Sequence, residues 1–347
     1  MTHPYLELRD VDRKFWAERI NPSLPPAIFD AHRHIAAPED LEPFTLERRK
    51  SNWDFEVGVQ ESLEEVQVGY SQVFPGRSVS FLAFGPPFRE CHLEQNNAYR
   101  SNGLRGTDSA ALALTSPEWS AEKVAEWLRQ PRIIGIKPYY DLVPGCKGDD
   151  VSIFDLCPHE HLEALDEVGG WLTLHLPRKE RLADPDNLAE IREIRQRYSR
   201  IVFVIAHLGR CYSGRYARVG LPAICSEEGI LFDTSAVFNP AVFAVALDRV
   251  GPERLLFGSD FPIFYVRGRQ KWDGDIYTNL TERDYGGNVD RDPPEVVANY
   301  TLFIYEAIAA CIDMCRGLGF DQKALSAIFH DNARRLVDRL LIEKENW

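Results

Sequence analysis

Short apolar runs recur along the chain and alternate with longer amphipathic segments. The runs are rich in Val, Ile, Leu and Phe, and near-continuous hydrophobicity of this kind is typical of parallel strands that are buried on both faces. Eight such strands are predicted, at residues 27–29, 79–84, 110–114, 133–136, 171–174, 201–206, 230–232 and 255–257. The segments between most of them have helical periodicity, most clearly at residues 120–130, 160–167, 185–198 and 240–250. This alternation favours a closed (β/α)8 TIM barrel, with an open doubly wound sheet as the main alternative.

Three long segments lie outside this alternation of strands and helices. Residues 1–26 are predicted to form an N-terminal extension, and residues 27–347 a single barrel domain. Insertions follow the first strand, at residues 35–78, and the eighth strand, at residues 262–294. The second insertion is rich in Gly, Asp and Arg, and we expect it to be a structureless lid or binding loop.

The C-terminal part of the chain is predicted to add helices to the barrel. A long amphipathic helix is expected at residues 295–318 and a shorter one at residues 322–341. The first of these has enough apolar surface to support a homodimer, although packing against the barrel could use the same surface.

The charge balance narrows the choice of partners. Lys and Arg number 40 against 53 Asp and Glu, a net charge of −13, which is the wrong sign for a protein that binds nucleic acid or anionic membrane. The N-terminal segment is charged where a signal peptide is apolar, and no apolar stretch reaches about 18 residues. The seven cysteines form no Cys-x-x-Cys pair, which argues against a disulfide framework and a zinc ribbon. The sequence therefore predicts a cytoplasmic protein with a small-molecule substrate.

The most informative motif is Asp-Ala-His-Arg-His, which directly follows the apolar pair Ile28-Phe29. Because side chains alternate along a strand, His32 and His34 share one face while Arg33 points to the other. Two imidazoles in this arrangement can direct ring nitrogens at one metal ion. We expect Arg33 to pair with an acidic residue of a helix rather than to touch a substrate.

Further polar residues end other predicted strands. His175, His207 and Lys137 each end an apolar run, and Asp260 closes the segment Leu255-Leu256-Phe257-Gly258-Ser259. In a (β/α)8 barrel the carboxyl ends of all strands meet at one mouth, where active sites are built. A charged group at the end of a buried strand is costly unless it is paired or coordinated. We therefore expect these side chains to join the two histidines of the first strand in a shared metal site.

These motifs resemble the amidohydrolase superfamily. The branch most similar is the amidohydrolase-related one, which includes aminocarboxymuconate semialdehyde decarboxylase, resorcylate-type decarboxylases and pyrone-dicarboxylate lactonase. The resemblance runs from about residue 28 to residue 337. It rests on the first-strand Asp-x-His-x-His, Gly135-Ile136-Lys137-Pro138, His175, His207, Gly258-Ser259-Asp260-Phe261-Pro262 and the terminal Asn332-Ala333-Arg334-Arg335-Leu336.

The resemblance implies one divalent metal ion, zinc in the first place with manganese as the alternative. Its ligands would be His32, His34, His175 and Asp260, and His207 would lie beside the water or substrate. Asp260 and His207 would be the catalytic residues, with Asp260 also transferring a proton. In binuclear relatives a lysine at the position of Lys137 is carbamylated and bridges two metals, whereas in the branch resembled here an unmodified lysine would bind a substrate carboxylate.

Two arginines lie just beyond strand-end histidines, and both are candidate substrate-binding residues. Arg178 follows the fifth strand and Arg210 the sixth, and a guanidinium group at either place could hold a carboxylate. The sequence thus predicts a metal-dependent hydrolase that acts on a small, carboxylated cyclic ester or amide through a metal-activated water. The first alternative is a non-oxidative decarboxylase of a small aromatic or unsaturated acid, in which Asp260 or His207 protonates the carbon. The second is a barrel that binds a metabolite without catalysis.

Overall fold

A parallel eight-stranded sheet forms the centre of the molecule. The computed structural model describes residues 6–51, 54–58, 60–146, 148–285 and 290–347. The strands are β1 (Ala27–His34), β2 (Ser78–Phe84), β3 (Ala110–Thr115), β4 (Ile133–Pro138), β5 (Trp171–Leu174), β6 (Val202–Ile205), β7 (Ile230–Asp233) and β8 (Leu255–Leu256). They lie side by side in sequence order, each parallel to the next. The predicted (β/α)8 barrel is confirmed.

The barrel closes where the first strand meets the chain after β8. The N–H of Ala31 donates to the carbonyl of Phe257 over 2.8 Å, and the N–H of Asp260 donates to the carbonyl of His32 over 2.9 Å. The buried carboxylate of Asp30 accepts from the N–H of His32 and from that of Ser259. The Asp30 carboxylate therefore links β1 to the segment that follows β8.

Helices surround the barrel. They are α1 (Asp10–Phe15), α2 (Leu46–Ser51), α3 (Asp54–Val57), α4 (Leu63–Val73), α5 (Leu93–Gly103), α6 (Ala121–Leu128), α7 (Ile153–Leu156), α8 (His159–Val168), α9 (Pro185–Arg197), α10 (His207–Arg210), α11 (Gly214–Ile224), α12 (Pro240–Arg249), α13 (Pro294–Val297), α14 (Phe303–Gly317), α15 (Gln322–Ser326) and α16 (Asn332–Glu343). The sequence marks several of their ends: Ser120 caps α6, Asp184 caps α9 ahead of Pro185, and Gly169 ends α8 in the left-handed conformation. Among the described residues, no helix is both long and apolar enough to cross a bilayer.

The N-terminal segment packs on the barrel from residue 6 onward. Helix α1 continues into a π-helical turn at Trp16–Ile20. Leu6, Trp16, Ile20 and Leu24 are buried in the same apolar core as the barrel helices. Residues 1–5 lie outside the described part of the chain.

The insertion after β8 differs from the structureless loop that the sequence predicts. Strands β9 (Gly268–Asp273) and β10 (Ile276–Thr281) form an antiparallel hairpin around a two-residue turn. Gly274 has a φ of +59° there, a conformation that glycine adopts without strain. Residues 286–289 of this insertion lie outside the described residues.

The predicted long helix at residues 295–318 is interrupted. The structure has the short helix α13, a break, and then α14. At the break the N–H of Gly268 donates to the carbonyl of Thr301 over 3.0 Å, and Arg267 bridges to Leu302. Pairing with the hairpin therefore takes backbone groups that a continuous helix would use, which is why the helix prediction is wrong at this point.

Candidate metal centre

A cavity opens at the carboxyl end of the barrel. Six of the predicted site residues line it, namely His32, His34, Lys137, His175, His207 and Asp260. They come from five strand ends that are far apart in the sequence, so the convergence expected from the fold is present.

Three of these side chains form a tight cluster. His32 Nε2 lies 3.4 Å from Asp260 Oδ1, and His34 Nε2 lies 3.3 Å from the same oxygen. One donor atom from each of the three residues lies within 4.8 Å of the others. All three residues are buried. Imidazole nitrogen and carboxylate oxygen are the usual protein ligands of zinc and related divalent metals.

The backbone turns sharply where two of the site residues follow their strands. Asp260 has a φ of +56°, and His207 has a φ of +56°. Left-handed conformations are unfavourable for residues other than glycine and are concentrated at functional sites. Both residues with this conformation, His207 and Asp260, line the cavity.

The hydrogen bonds of the histidine rings fit a bound cation. His34 Nδ1 lies 3.0 Å from the carbonyl oxygen of Gly85, which can only accept, so its proton is on Nδ1 and Nε2 carries a lone pair. Burial lowers the pKa of His34, which keeps this ring neutral. His32 Nδ1 lies 2.8 Å from the Asp233 carboxylate, and its Nε2 faces Asp260 across 3.4 Å. The lone pair of His34 and the carboxylate oxygen of Asp260 would repel each other unless a cation lies between them.

Asp233 is a site residue that the sequence analysis missed. Its Oδ2 accepts from His32 Nδ1, and its Oδ1 accepts from the backbone N–H of His207 over 2.9 Å. Burial opposes ionisation of Asp233, but the two neighbouring imidazoles outweigh burial and hold its pKa well below the usual range. A carboxylate in this position orients a metal-binding histidine. Asp233 directly follows a predicted strand, so the signal that identified the other strand-end residues was present here as well.

His207 is held by Ser235. Its Nδ1 lies 2.8 Å from Ser235 Oγ and 3.2 Å from the Ser235 carbonyl oxygen. Since a carbonyl can only accept, the proton is on Nδ1 and Nε2 is the accepting atom of the ring. Burial lowers the pKa of His207 to about 4, so the ring is neutral at pH 7.

His175 lies in the same cavity but outside the tight cluster. Its ring is centred 5.2 Å from that of His207 and 4.7 Å from that of Tyr139. Its Nδ1 is buried and has no hydrogen-bond partner within the described structure. Burial, supported by the charge of Arg210, lowers the pKa of His175 well below its usual value. Among the described residues, then, three of the four predicted ligands converge closely and the fourth is a neutral imidazole in the same cavity.

Lys137 is buried without an ionic partner at its ammonium group. Its Nζ lies 4.9 Å from the centre of the Phe84 ring. In the part of the chain that the structure describes, this atom donates no hydrogen bond to another protein group. Burial lowers the pKa of Lys137 to about 8, against the opposing effect of Asp233 and Asp260. A buried amine of this kind is available to an acidic ligand.

The two predicted arginine clamps are paired with protein carboxylates. Arg178 donates to Glu190 over 2.7 and 3.0 Å, and Arg210 donates to Asp149 over 2.8 Å. Neither arginine is among the described residues that line the cavity. The sequence predicted that both lie near the mouth, but the Arg178 guanidinium group pairs with Glu190 of α9 and that of Arg210 pairs with Asp149.

Arg33 projects away from the metal cluster, as predicted. It is fully buried, forms an ion pair with Glu61 and donates to the hydroxyl of Tyr265 over 3.3 Å. Glu61 lies in the insertion immediately before α4, so the acidic partner belongs to a loop and not to a helix. This pair connects β1 to both insertions.

Comparison with known proteins gives one family match. The family model described as amidohydrolase matches residues 97–339, a stretch that contains His175, His207 and Asp260. No curated protein sequence gives a significant match.

Several solved structures share the fold. One is 5-carboxyvanillate decarboxylase from Sphingomonas paucimobilis, at 12% identity and a TM-score of 0.54 over 90% of this chain and 99% of that one. A proposed 2-pyrone-4,6-dicarboxylic acid hydrolase from Pseudomonas putida has 16% identity and a TM-score of 0.54 over 91% and 98%. A zinc-containing amidohydrolase from Burkholderia multivorans has 12% identity and a TM-score of 0.56 over 90% and 99%. These likenesses establish the barrel, and the family match extends over more than half of the chain. The chain belongs to the amidohydrolase family.

Proposed function

We propose that this protein is a metal-dependent hydrolase of a small cyclic ester or amide that carries a carboxylate. The observation that carries the proposal is that His32 Nε2 and His34 Nε2 lie 3.4 and 3.3 Å from Asp260 Oδ1, in a cavity that also contains one buried lysine. His32, His34 and Asp260 would hold one divalent cation, with His175 as the fourth ligand. Zinc is the first metal to test and manganese the second, since the structurally similar protein from Burkholderia multivorans contains zinc.

The metal and the protein would divide the chemistry. A divalent cation in such a site supplies a Lewis acid, which polarises a carbonyl group and lowers the pKa of water. Asp260 is ionised: burial opposes this, but the neighbouring imidazoles outweigh burial and hold its pKa well below the usual range. Its carboxylate can therefore accept a proton from the attacking water and pass it to the leaving group. His207 Nε2 is a second acceptor, which can orient that water or the substrate.

The remainder of the cavity suits a flat, singly charged substrate. Lys137 Nζ would hold the substrate carboxylate as a point charge. Seven phenylalanine and tyrosine rings line the cavity walls, from Phe88, Tyr139, Tyr212, Phe238, Phe264, Tyr277 and Phe303. Apolar walls of this kind exclude water and stack on a planar ring.

Decarboxylation of a hydroxylated aromatic acid is the second candidate, and one observation favours it. In that reaction a carbon–carbon bond breaks, carbon dioxide leaves, and the electron pair on carbon takes a proton. Asp260 and His207, the donors suggested by the sequence, hold no proton to give at neutral pH. Lys137, whose burial lowers its pKa to about 8, is protonated at pH 7 and lies in the aromatic cavity.

Metal analysis combined with two substrate panels tests the proposal. We expect about one zinc or manganese ion per chain, and acid release from lactones or cyclic amides that carry one carboxylate. Hydroxybenzoates in the second panel would release carbon dioxide only if the second candidate holds. Full turnover by chelator-treated, metal-free protein would contradict both candidates.

The pH dependence of kcat/KM is expected to report on Lys137. Its ammonium form binds the carboxylate and is present below a pKa of about 8. We therefore expect kcat/KM to fall about tenfold per pH unit above that value. The Lys137→Met variant should have a lower kcat/KM without this alkaline decline. An unchanged decline in that variant would show that another group causes it.

Replacing Asp233 by Asn is expected to weaken metal binding. The amide removes the charge that holds His32 Nδ1, and loss of such a partner typically costs about 10- to 100-fold in affinity. Competition with a zinc chelator of known affinity measures the change. The exposed Asp313, changed to Asn, provides a matched control. Wild-type metal affinity in Asp233→Asn would contradict the role given to this carboxylate.

A further inference from the structure

The β9–β10 hairpin presents one polar face to the cavity. Gln270 on β9 lies directly opposite Asn279 on β10. Residues opposite each other in an antiparallel pair project to the same face, and every second residue along a strand shares that face. Gln270, Asn279 and Tyr277 accordingly line the cavity. The hairpin is therefore part of the wall that a bound substrate would meet.

Both ends of the hairpin are fixed. At its base the N–H of Gly268 donates to the carbonyl of Thr301 over 3.0 Å. At its tip the carboxylate of Asp275 accepts from the backbone N–H of Arg215 over 2.9 Å and from the side chain of Arg218 over 3.1 Å. The tip thus docks on the start of α11, and the polar face keeps a defined position above the barrel.

The hairpin is connected to the metal centre through aromatic rings. The rings of His207 and Tyr212 are centred 6.2 Å apart, and those of Tyr212 and Tyr277 are 5.8 Å apart. A small ring-shaped substrate near His207 would therefore extend toward the polar face of the hairpin.

Gln270 offers an acceptor that the protein leaves unused. Its Nε2 donates to Asn279 Oδ1 over 2.9 Å. Its Oε1 is buried and has no hydrogen-bond partner in the described structure. A buried acceptor without a donor is costly. A ligand that brings a hydroxyl or N–H group would remove that cost.

Positive charge is scarce around the same cavity. Lys137 is the single lysine or arginine among the described residues that line it. Arg269, next to Gln270 in the chain, is directed elsewhere and donates to Asp292 over 2.7 and 2.9 Å. One substrate carboxylate can be neutralised by Lys137, whereas a second carboxylate at the hairpin would meet the oxygen of Gln270 and no cation.

We propose that the Gln270–Asn279 pair determines specificity by selecting a neutral hydrogen-bond donor, a hydroxyl group in the first place, on the part of the substrate remote from its carboxylate. The hydroxyl donates to Gln270 Oε1 and can accept from an amide N–H of Asn279. The substrate class is then a hydroxylated monocarboxylate ring, and ring dicarboxylates are excluded. The inference rests on the proposed function for the position of the carboxylate at Lys137.

Binding measurements on the zinc-loaded protein test this selection through affinity and not through the rate of turnover. Calorimetric titrations compare benzoate, the three monohydroxybenzoates and isophthalate. For the wild-type protein we expect the best hydroxybenzoate to bind about tenfold more tightly than benzoate, and isophthalate to bind more weakly than that hydroxybenzoate. Gln270→Leu should bind the hydroxybenzoate and benzoate with about equal affinity. Gln270→Glu, which keeps an acceptor, should retain it.

Thr278→Val is the matched control, because Thr278 is the neighbour of Asn279 on β10 and projects to the opposite face of the hairpin. It should keep the wild-type preference. Equal discrimination by the wild type and Gln270→Leu would overturn the inference, as would tighter binding of isophthalate or no binding of any probe. Metal content and turnover, measured on the same preparation, report on the proposed function separately, since the protein could select the hydroxyl group and still lack metal-dependent activity.

Discussion

Replacing His34 by Ala is expected to remove the metal and to lower kcat/KM by about three orders of magnitude, since a catalytic cation supplies several kcal/mol of transition-state stabilisation. The structural reason is the position of His34 Nε2, 3.3 Å from Asp260 Oδ1, with its proton fixed on Nδ1 by the Gly85 carbonyl. No neighbouring group can replace that lone pair in the same place. Metal content by mass spectrometry and steady-state kinetics measure the two effects.

The control for this variant is His92→Ala, at an exposed histidine that pairs with Glu42 on the surface. It should keep both metal and activity. Circular dichroism should show the same helical content in both variants, because neither residue belongs to the apolar core. An active, metal-loaded His34→Ala protein would remove His34 from the ligand set.

Replacing Glu61 by Gln is expected to lower the free energy of unfolding by about 3 kcal/mol or more, because removing one partner of a buried ion pair leaves an uncompensated charge. Arg33 and Glu61 are both fully buried. The guanidinium group also lies 5.1 Å from the Tyr70 ring centre and 5.0 Å from that of Phe261. Ring faces attract the cation but do not replace the carboxylate. Urea unfolding at pH 7 measures the change.

A double variant separates charge from packing. Arg33→Met combined with Glu61→Met removes both charges and keeps much of the volume, so it should be more stable than Glu61→Gln alone. Glu94→Gln, which removes an exposed pair with Lys123, should change stability by less than about 1 kcal/mol. A Glu61→Gln protein as stable as the wild type would show that the buried pair contributes nothing net.

The barrel could be predicted because its strands are buried on both faces. Most of them contain a near-continuous apolar run, and all eight lie where such runs were predicted. The hairpin could not be found by this criterion. Its strands read Gly-Arg-Gln-Lys-Trp-Asp and Ile-Tyr-Thr-Asn-Leu-Thr, because one face meets a polar cavity and the other is largely exposed. Hydrophobic runs report burial, and this element is only half buried.

Strand ends predicted which residues lie near the mouth, but not the direction of every side chain. The side chain of His175, which directly follows β5, lies in the cavity. Arg178 lies three residues further on and has a long, flexible side chain, and its direction is set by Glu190. The pairing of an arginine with one of many acidic residues depends on the folded loops, so no spacing rule could have identified it.

The candidate metal centre and the closure of the barrel occupy the same place. His32 and His34 belong to the first strand and Asp260 to the chain that follows the last one, so the candidate ligands come from both sides of the seam that Asp30 fastens. A cation bound by these residues would bridge the first strand and the segment that follows the eighth strand. Substitutions that loosen this seam would consequently impair catalysis without altering any ligand, and active-site integrity would depend on the last step by which the cylinder is completed.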